Sequence, residues 1–129
     1  MSKFQDFRVI ISGSKNYNDY DQLKEACDHY LKNKLKNLDV NVIVLSGSGG
    51  GADKLGEQYA KERGLELEIY SANWDRYGKS ASYKRNVQMT SVGNALIAFR
   101  SSYSDNRGTD IMIDMARKKH LLVRVIEED

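Results

Sequence analysis

Proline is absent from this chain, cysteine and tryptophan occur once each, and no long apolar run interrupts the sequence. The lone cysteine, Cys27, cannot form an internal disulfide, which is typical of proteins from a reducing compartment. No apolar stretch approaches the roughly 18 residues of a membrane-spanning helix, and residues 1–6 lack the apolar segment of a signal peptide. We therefore expect a cytoplasmic protein that does not enter a membrane.

The sequence also has little net charge, since 20 basic and 18 acidic residues leave a balance of +2. This charge is too small to indicate nucleic-acid binding by bulk electrostatics. Histidine, cysteine and carboxylate side chains do not cluster at metal-ligand spacing, so we expect neither a metal nor a cofactor. Without proline, low-complexity linkers or repeats, no domain boundary is visible, and residues 1–129 are expected to form one domain.

Short apolar runs alternate strictly with helical patterns along the chain. Most of the runs are continuously apolar, as in the segment VIVL at 42–45, which indicates strands buried on both faces of a parallel sheet. The alternation predicts an α/β, Rossmann-like doubly wound sheet of five strands in the order 3-2-1-4-5, with helices on both faces. The predicted strands are 8–12, 41–46, 66–70, 95–99 and 121–126, and the predicted helices are 19–35, 52–63, 80–91 and 108–119.

Helical spacing also predicts which side chains face the core. Cys27 lies on the apolar stripe of the first helix, which favours a buried, inert thiol over a nucleophile. In the fourth helix the residues expected to face inward are Ile111, Met112, Met115 and Ala116.

Ligands of doubly wound sheets bind outside the carboxyl ends of the strands, at the point where the strand order reverses. In the predicted order this crevice lies between strands one and four. It is bordered by the loops 13–18, 46–53, 71–80 and 100–108, and most of the unusual residues of the chain lie in or beside them.

The most informative loop is SGSGGGAD at 46–53, which joins an apolar strand to an amphipathic helix. Its glycines permit a sharp turn and a close ligand, and the helix start offers free N–H groups to a phosphate. The dinucleotide-binding fingerprint is matched only in part, because no carboxylate is clearly placed about 20 residues later. The alternative is a structural turn in which Asp53 favours the helix start. Three consecutive glycines cost backbone entropy, so a turn without a ligand would need another explanation, and this favours ligand binding.

The other loops offer groups of matching chemistry. Trp74 either stacks on a base or covers the sheet edge, and Arg85 can hold a phosphate with its planar fork. The segment 108–110 is either a second ligand-facing helix start or a plain N-cap, and Asp110 and Arg85 are the candidate catalytic residues. The predicted ligand-binding residues are Gly13, Ser14, Lys15, Ser46, Gly47, Gly49, Gly50, Gly51, Asp53, Trp74, Arg85, Asn86, Gly108 and Thr109.

Several of these segments together resemble the YspA/YpsA-related branch of the SLOG superfamily. They are VIISGSKNY at 9–17, VLSGSGGGADKLG at 44–56, Trp74, and RNVQM at 85–89. The resemblance covers nearly the whole chain. It implies a Rossmann-like domain that binds nucleotides or nucleotide-derived ligands at the crevice. Lys15 stands where this family has an arginine, so the charge is kept and the bidentate fork is lost.

Two related families imply other functions. The segment 85–89 and the Gly-Thr pair at 108–109 are similar to parts of LOG-type nucleoside-monophosphate phosphoribohydrolases, which cleave an N-glycosidic bond with two glutamates. Ile111 and Met112 occupy the positions of those glutamates here. The turn 46–53 is similar to that of the DNA-processing protein A family, in which it contributes to single-strand DNA binding.

We therefore expect a small-molecule-binding domain whose ligand is a nucleotide or an ADP-ribose-like molecule. An N-glycosidase acting on a nucleoside monophosphate is the first alternative, so enzymatic activity is left open. A single-stranded nucleic-acid-binding module is the second, and it ranks lower because the chain has no strong basic stripe. A homo-oligomer is expected from related folds, and the short length suits a phage or mobile-element gene.

Overall fold

A computed structural model describes residues 5–102 and 105–129 of the protein. The strands are β1 Gln5–Gly13, β2 Val40–Ser46, β3 Glu66–Ile69, β4 Ala95–Arg100 and β5 Leu122–Glu127. The helices are α1 Tyr20–Lys36, α2 Ala52–Arg63, α3 Trp74–Tyr77, α4 Ala81–Val92 and α5 Arg107–Lys118, and the 3-10 turn Gly78–Ser80 links α3 to α4.

All five strands are parallel and lie in the order β3-β2-β1-β4-β5, which confirms the predicted α/β Rossmann-like topology. In the centre, Val9 of β1 pairs with Val44 of β2 and with Ala95 of β4. The chain crosses from one half of the sheet to the other after β3, so the strand order reverses between β1 and β4. In sheets of this kind ligands bind at such a reversal, so the predicted crevice belongs at the carboxyl ends of these strands.

Two separate hydrophobic clusters cover the two faces of the sheet. On one face Val9 and Ile11 pack with residues of α1 and α2, such as Leu23 and Tyr59. On the other face Ile10, between them in sequence, packs with residues of α4 and α5. Successive side chains of a strand point to opposite faces, so burial on both faces explains why the central strands are continuously apolar.

The ends of the helices that flank the site follow from local chemistry. At the start of α1 the Asp19 side chain accepts a hydrogen bond of 3.0 Å from the Gln22 amide. At the end of α2 Gly64 has a φ of 66°, a left-handed conformation in which glycine is unstrained. Within α2 a Cβ on Gly56 would lie 2.7 Å from Ile11 Cγ2, so a glycine there lets α2 approach β1 closely.

Three local expectations are wrong. The segment 74–80, taken as a loop, contains α3 and the 3-10 turn, and Asn73 caps α3 by accepting from the Arg76 amide. Ile111 is 52% exposed, and Ile113 faces the core in its place. Helix α5 begins at Arg107, so Thr109 lies inside its first turn and is not its N-cap.

No helix among residues 5–102 and 105–129 is both long enough and apolar enough to span a membrane. Within the same residues, no group of three or more metal-ligating side chains comes together. Cys27 is buried and has a free thiol.

Candidate functional site

The glycine turn of residues 47–51 lies directly against the loop that follows β1. Gly51, the N-cap of α2, has a φ of 59°, and a Cβ there would come within 2.1 Å of the Ser14 carbonyl oxygen. That oxygen accepts hydrogen bonds of 3.2 Å from the amides of Tyr17 and Ala52. The two loops predicted to border the crevice are therefore joined through their backbones, and the Ala52 amide is occupied by this contact.

Gly13 and Ser14 hold the first loop against β4. A Cβ on Gly13 would lie 2.1 Å from the Phe99 carbonyl oxygen, so this position requires glycine for packing. The Ser14 amide donates a 3.0 Å hydrogen bond to the same oxygen. The buried Ser14 hydroxyl accepts a hydrogen bond of 3.2 Å from the Asn16 amide, which fixes the turn. These two predicted ligand-binding residues thus have evident structural roles at the edge of the crevice.

Arg85 reaches the glycine turn from α4, on the opposite face of the sheet. Its Nη1 donates a 3.0 Å hydrogen bond to the Gly47 carbonyl oxygen, and its Nε lies 3.4 Å from Asn86 Oδ1. A Cβ on Gly47 would be 3.1 Å from Cζ of Arg85, so glycine makes room for the guanidinium. No described carboxylate forms an ion pair with Arg85. The structure therefore holds a guanidinium against the turn, with Asp53 nearby but outside ion-pair distance.

Asp53, in the first turn of α2, lies beneath the glycine turn and is only 7% exposed. Its Oδ2 accepts a 3.0 Å hydrogen bond from the Gly49 amide, whereas Oδ1 is buried and has no hydrogen-bond partner among the described residues. Burial raises the pKa of Asp53. The Gly49 amide and the Arg85 charge lower that pKa, as do the nearby Gly13 amide and Ser12 hydroxyl, without cancelling the effect of burial.

A second buried carboxylate supports the turn, and sequence reasoning missed it. Glu57 accepts a 2.7 Å hydrogen bond from the Ser46 hydroxyl, whose oxygen accepts one of 3.1 Å from the Ser48 amide. Ser48 has a φ of 59°, so this contact holds a non-glycine residue in a left-handed conformation. The available signal was the spacing of four from Asp53, which places both carboxylates on one face of α2.

Three predicted residues of the crevice are open to solvent. Lys15 is exposed, and its described contacts with the turn are made by its backbone carbonyl. A Cβ on Gly50 would meet only that Lys15 oxygen, at 3.8 Å, so the space above Gly50 is free. No hydrogen bond within the described residues uses the amides of Gly50 and Gly51. Trp74 is 57% exposed on α3.

Asn86, Gly108 and Thr109 are predicted to hold the far side of the ligand. Gly108 and Thr109 lie in α5, and no described contact joins them to the glycine turn. Gly108 is exposed, and Thr109 is buried. The Asp110 carboxylate receives two hydrogen bonds from Arg100, of 2.9 and 3.2 Å, so this candidate acid is held in an ion pair. Residues 103–104 of the predicted loop 100–108 lie outside the described residues.

Comparison with known proteins extends these observations. The Gene 61 protein of Mycobacterium phage D29 is 29% identical over 91 residues, which cover 67% of this chain and 70% of the phage protein. The X-ray structure of DNA processing protein A (DprA) from Streptococcus pneumoniae superimposes with a TM-score of 0.67 at 15% identity. That superposition covers 96% of this chain and 51% of DprA, so this chain spans about half the length of that protein and shares its fold.

A family model described as "YspA, cpYpsA-related SLOG family" matches residues 7–77, a range that contains most of β1, the glycine turn and α2 but not the segment 85–89. The match includes more than half of the chain and confirms the resemblance seen in the sequence. This protein belongs to the YspA, cpYpsA-related SLOG family.

Proposed function

We propose that this protein binds a nucleotide or a nucleotide-derived, ADP-ribose-like ligand at the carboxyl edge of its sheet. In this proposal a phosphate lies between the glycine turn and Arg85. Membership in the SLOG family supports a nucleotide-related role. The ligand itself is inferred from the chemistry of the turn.

The observation that carries the proposal is the placement of Arg85. Only one of its donors is bound by the turn, at the Gly47 carbonyl, and no described carboxylate forms an ion pair with it. A guanidinium offers five donors in a rigid fork that matches a phosphate. The amides of Gly50 and Gly51 belong to the same turn and stand at the positive end of the α2 dipole, which favours the same negatively charged group.

Asp53 also supports the proposed site, through the conformation of the glycine turn. A buried acceptor without a donor is uncommon in folded proteins, and Asp53 Oδ1 is such an atom. Its other oxygen braces the Gly49 amide. We infer that Asp53 holds the turn in its binding conformation, with Oδ1 enclosed beneath it.

The N-glycosidase alternative has weaker support. Ile111 and Met112 stand at the glutamate positions of the resembled enzymes, and the Asp110 carboxylate is bound to Arg100. The single-stranded nucleic-acid alternative draws on the resemblance of the turn 46–53 and on the fold shared with DprA at 15% identity. Melting temperatures with DNA and an assay for released base separate the two alternatives from the proposal.

The experiment measures melting temperatures with AMP, GMP, ADP-ribose, NAD and a short single-stranded DNA. A ligand at ~100 times its Kd stabilises the folded state by about 2.7 kcal/mol. We expect a rise with a nucleotide that Arg85→Ala abolishes and Arg85→Lys reduces. Arg117→Ala removes an exposed arginine of α5 and is the charge-matched control.

Gly50→Ala tests the turn itself, because a methyl there enters open space without straining the fold. We expect it to weaken nucleotide binding while leaving the melting temperature of the free protein unchanged. Stabilisation by DNA alone would replace the proposal with the nucleic-acid alternative, and release of free base would establish the glycosidase. A nucleotide shift that survives in both Arg85→Ala and Gly50→Ala would overturn the proposed site.

A further inference from the structure

A cavity of about 520 Å³ opens beside the glycine turn, between the end of β3, helix α3 and the first two turns of α4. Its volume lies within the range of roughly 300–1,000 Å³ that small-molecule sites occupy. It is lined by Ser71, Asn73, Tyr77, Ala81, Tyr83, Lys84, Arg85, Val87 and Gln88.

The cavity shares Arg85 with the glycine turn, where the same side chain binds the Gly47 carbonyl. The segment after β3 is also joined to the start of the glycine turn through the backbone, because the Tyr70 amide donates a 2.8 Å hydrogen bond to the Ser46 carbonyl. Ser71, the next residue, lines the cavity. One ligand can therefore contact the cavity and the turn together, with Arg85 between its two parts.

The wall of the cavity combines aromatic and amide groups. Tyr83 is 59% exposed, so its ring is available for stacking, whereas the Tyr77 ring already has Arg76 Cζ at 5.2 Å from its centre. Lys84 Nζ lies 4.9 Å from the centre of the Tyr77 ring, which adds a cation to one side. No hydrogen bond within the described residues uses the Gln88 amide, which can both donate and accept. Stacking surfaces with an unused amide are the groups that recognise a nucleobase.

We infer that this cavity binds the base of the ligand whose phosphate lies at the glycine turn. The inference rests on the proposed function and adds a selectivity to it: the site takes phosphorylated nucleosides in preference to sugar phosphates. Tyr83 and Gln88 contact the base, and Arg85 contacts the phosphate.

The test compares AMP, GMP, UMP and ADP-ribose with ribose 5-phosphate by calorimetry. We expect the best nucleotide to bind more tightly than ribose 5-phosphate. Tyr83→Ala should weaken binding of that nucleotide about 5- to 100-fold, the loss of one stacked base, and leave ribose 5-phosphate unaffected. Gln88→Ala should act in the same direction, and Arg85→Ala should weaken both probes. Tyr30→Ala, at an exposed tyrosine of α1, is the matched control.

The outcomes separate this inference from the function on which it rests. Equal binding of ribose 5-phosphate and every nucleotide would keep the phosphate site and overturn the base site. An unchanged nucleotide affinity in both Tyr83→Ala and Gln88→Ala would do the same. Binding of no probe would overturn the proposed function together with the base site.

Discussion

The backbone of Gly51 lies so close to the carbonyl oxygen of Ser14 that a methyl group on Gly51 would come within 2.1 Å of it. Gly51 also has a φ of 59°, which L-residues rarely adopt. Gly50, one residue earlier, has neither constraint. The fold therefore requires glycine at position 51 and does not require it at position 50.

We expect Gly51→Ala to lower the free energy of unfolding by more than about 2 kcal/mol, because strain and a backbone clash act together. Gly50→Ala should change it by less than about 1 kcal/mol. Urea denaturation of the two variants measures the difference. Equal stability of both variants would contradict the packing of the two loops.

Removal of the Ser46 hydroxyl leaves the buried Glu57 carboxylate without its 2.7 Å hydrogen bond. We expect Ser46→Ala to destabilise the protein by about 1–3 kcal/mol, the range for an unsatisfied buried group. A double-mutant cycle with Glu57→Ala, which removes the acceptor, measures the coupling between the two side chains. Additive effects would show that the hydrogen bond contributes nothing to stability.

The pH dependence of stability should reveal the raised pKa of Asp53. Between its unfolded value of 3.8 and its raised native value, the folded protein holds a proton that the unfolded chain has released. Asp53 therefore lowers the free energy of unfolding as pH rises through this window. Asp53→Asn should gain stability relative to wild type across the same window in urea titrations. If the stabilities of wild type and Asp53→Asn changed in parallel across this pH window, the raised pKa of Asp53 would be contradicted.

Asp28 provides a control, because its pKa is shifted in the direction opposite to that of Asp53. Hydrogen bonds from Arg63 and Tyr59 lower its pKa below the usual 3.8, against a smaller effect of burial. The stability that ionised Asp28 contributes is fully present above pH 3.8 and is lost as the pH falls through the native pKa of Asp28. The stability difference between wild type and Asp28→Asn should therefore shrink in acid, and a difference that grows there would contradict this assignment.

Cys27 should be unreactive in the folded protein. Its side chain is fully buried, and burial raises its pKa, so almost no thiolate is present at neutral pH. We expect a thiol reagent such as Ellman's reagent to label Cys27 only at the rate of unfolding, and rapidly in urea. Rapid labelling without denaturant would show that α1 opens locally.

Gly108→Ala should stabilise the protein by roughly 0.5–1 kcal/mol, because alanine favours a helix interior more than glycine does. A Cβ at this position in α5 meets no atom within 4 Å. Thermal unfolding of the variant measures the gain. Nucleotide binding should be unaffected unless Gly108 forms the far side of the site, so calorimetry on the same variant decides its predicted role.

The sheet could be predicted because its signal is spread along the whole chain. Continuous apolar runs identify strands buried on both faces, and strict alternation with helices leaves few topologies. The predictions fail at positions where local details determine the structure. Asn73 starts α3 through a single cap. Ile113 replaces Ile111 in the core because the buried face of α5 also includes Thr109, about a quarter turn from the centre of the predicted stripe.

The proximity of the predicted site residues could be anticipated from the sequence, and their contacts could not. The carboxyl edge of a parallel sheet gathers its loops whatever they contain, so Gly47 and Arg85 were expected near one another. Their hydrogen bond depends on the reach of one side chain across the sheet. The buried pair Ser46 and Glu57 was missed because a serine and a glutamate eleven positions apart carry no visible sign of contact.

The shared carbonyl of Ser14 makes the first loop and the start of α2 a single mechanical unit. A ligand that enters such a unit has little chain to order, so most of its interaction energy is retained as affinity. Association should then follow one kinetic phase whose rate increases linearly with ligand concentration. The two loops should also gain or lose hydrogen-exchange protection together, because neither can open without breaking the bond that holds the other.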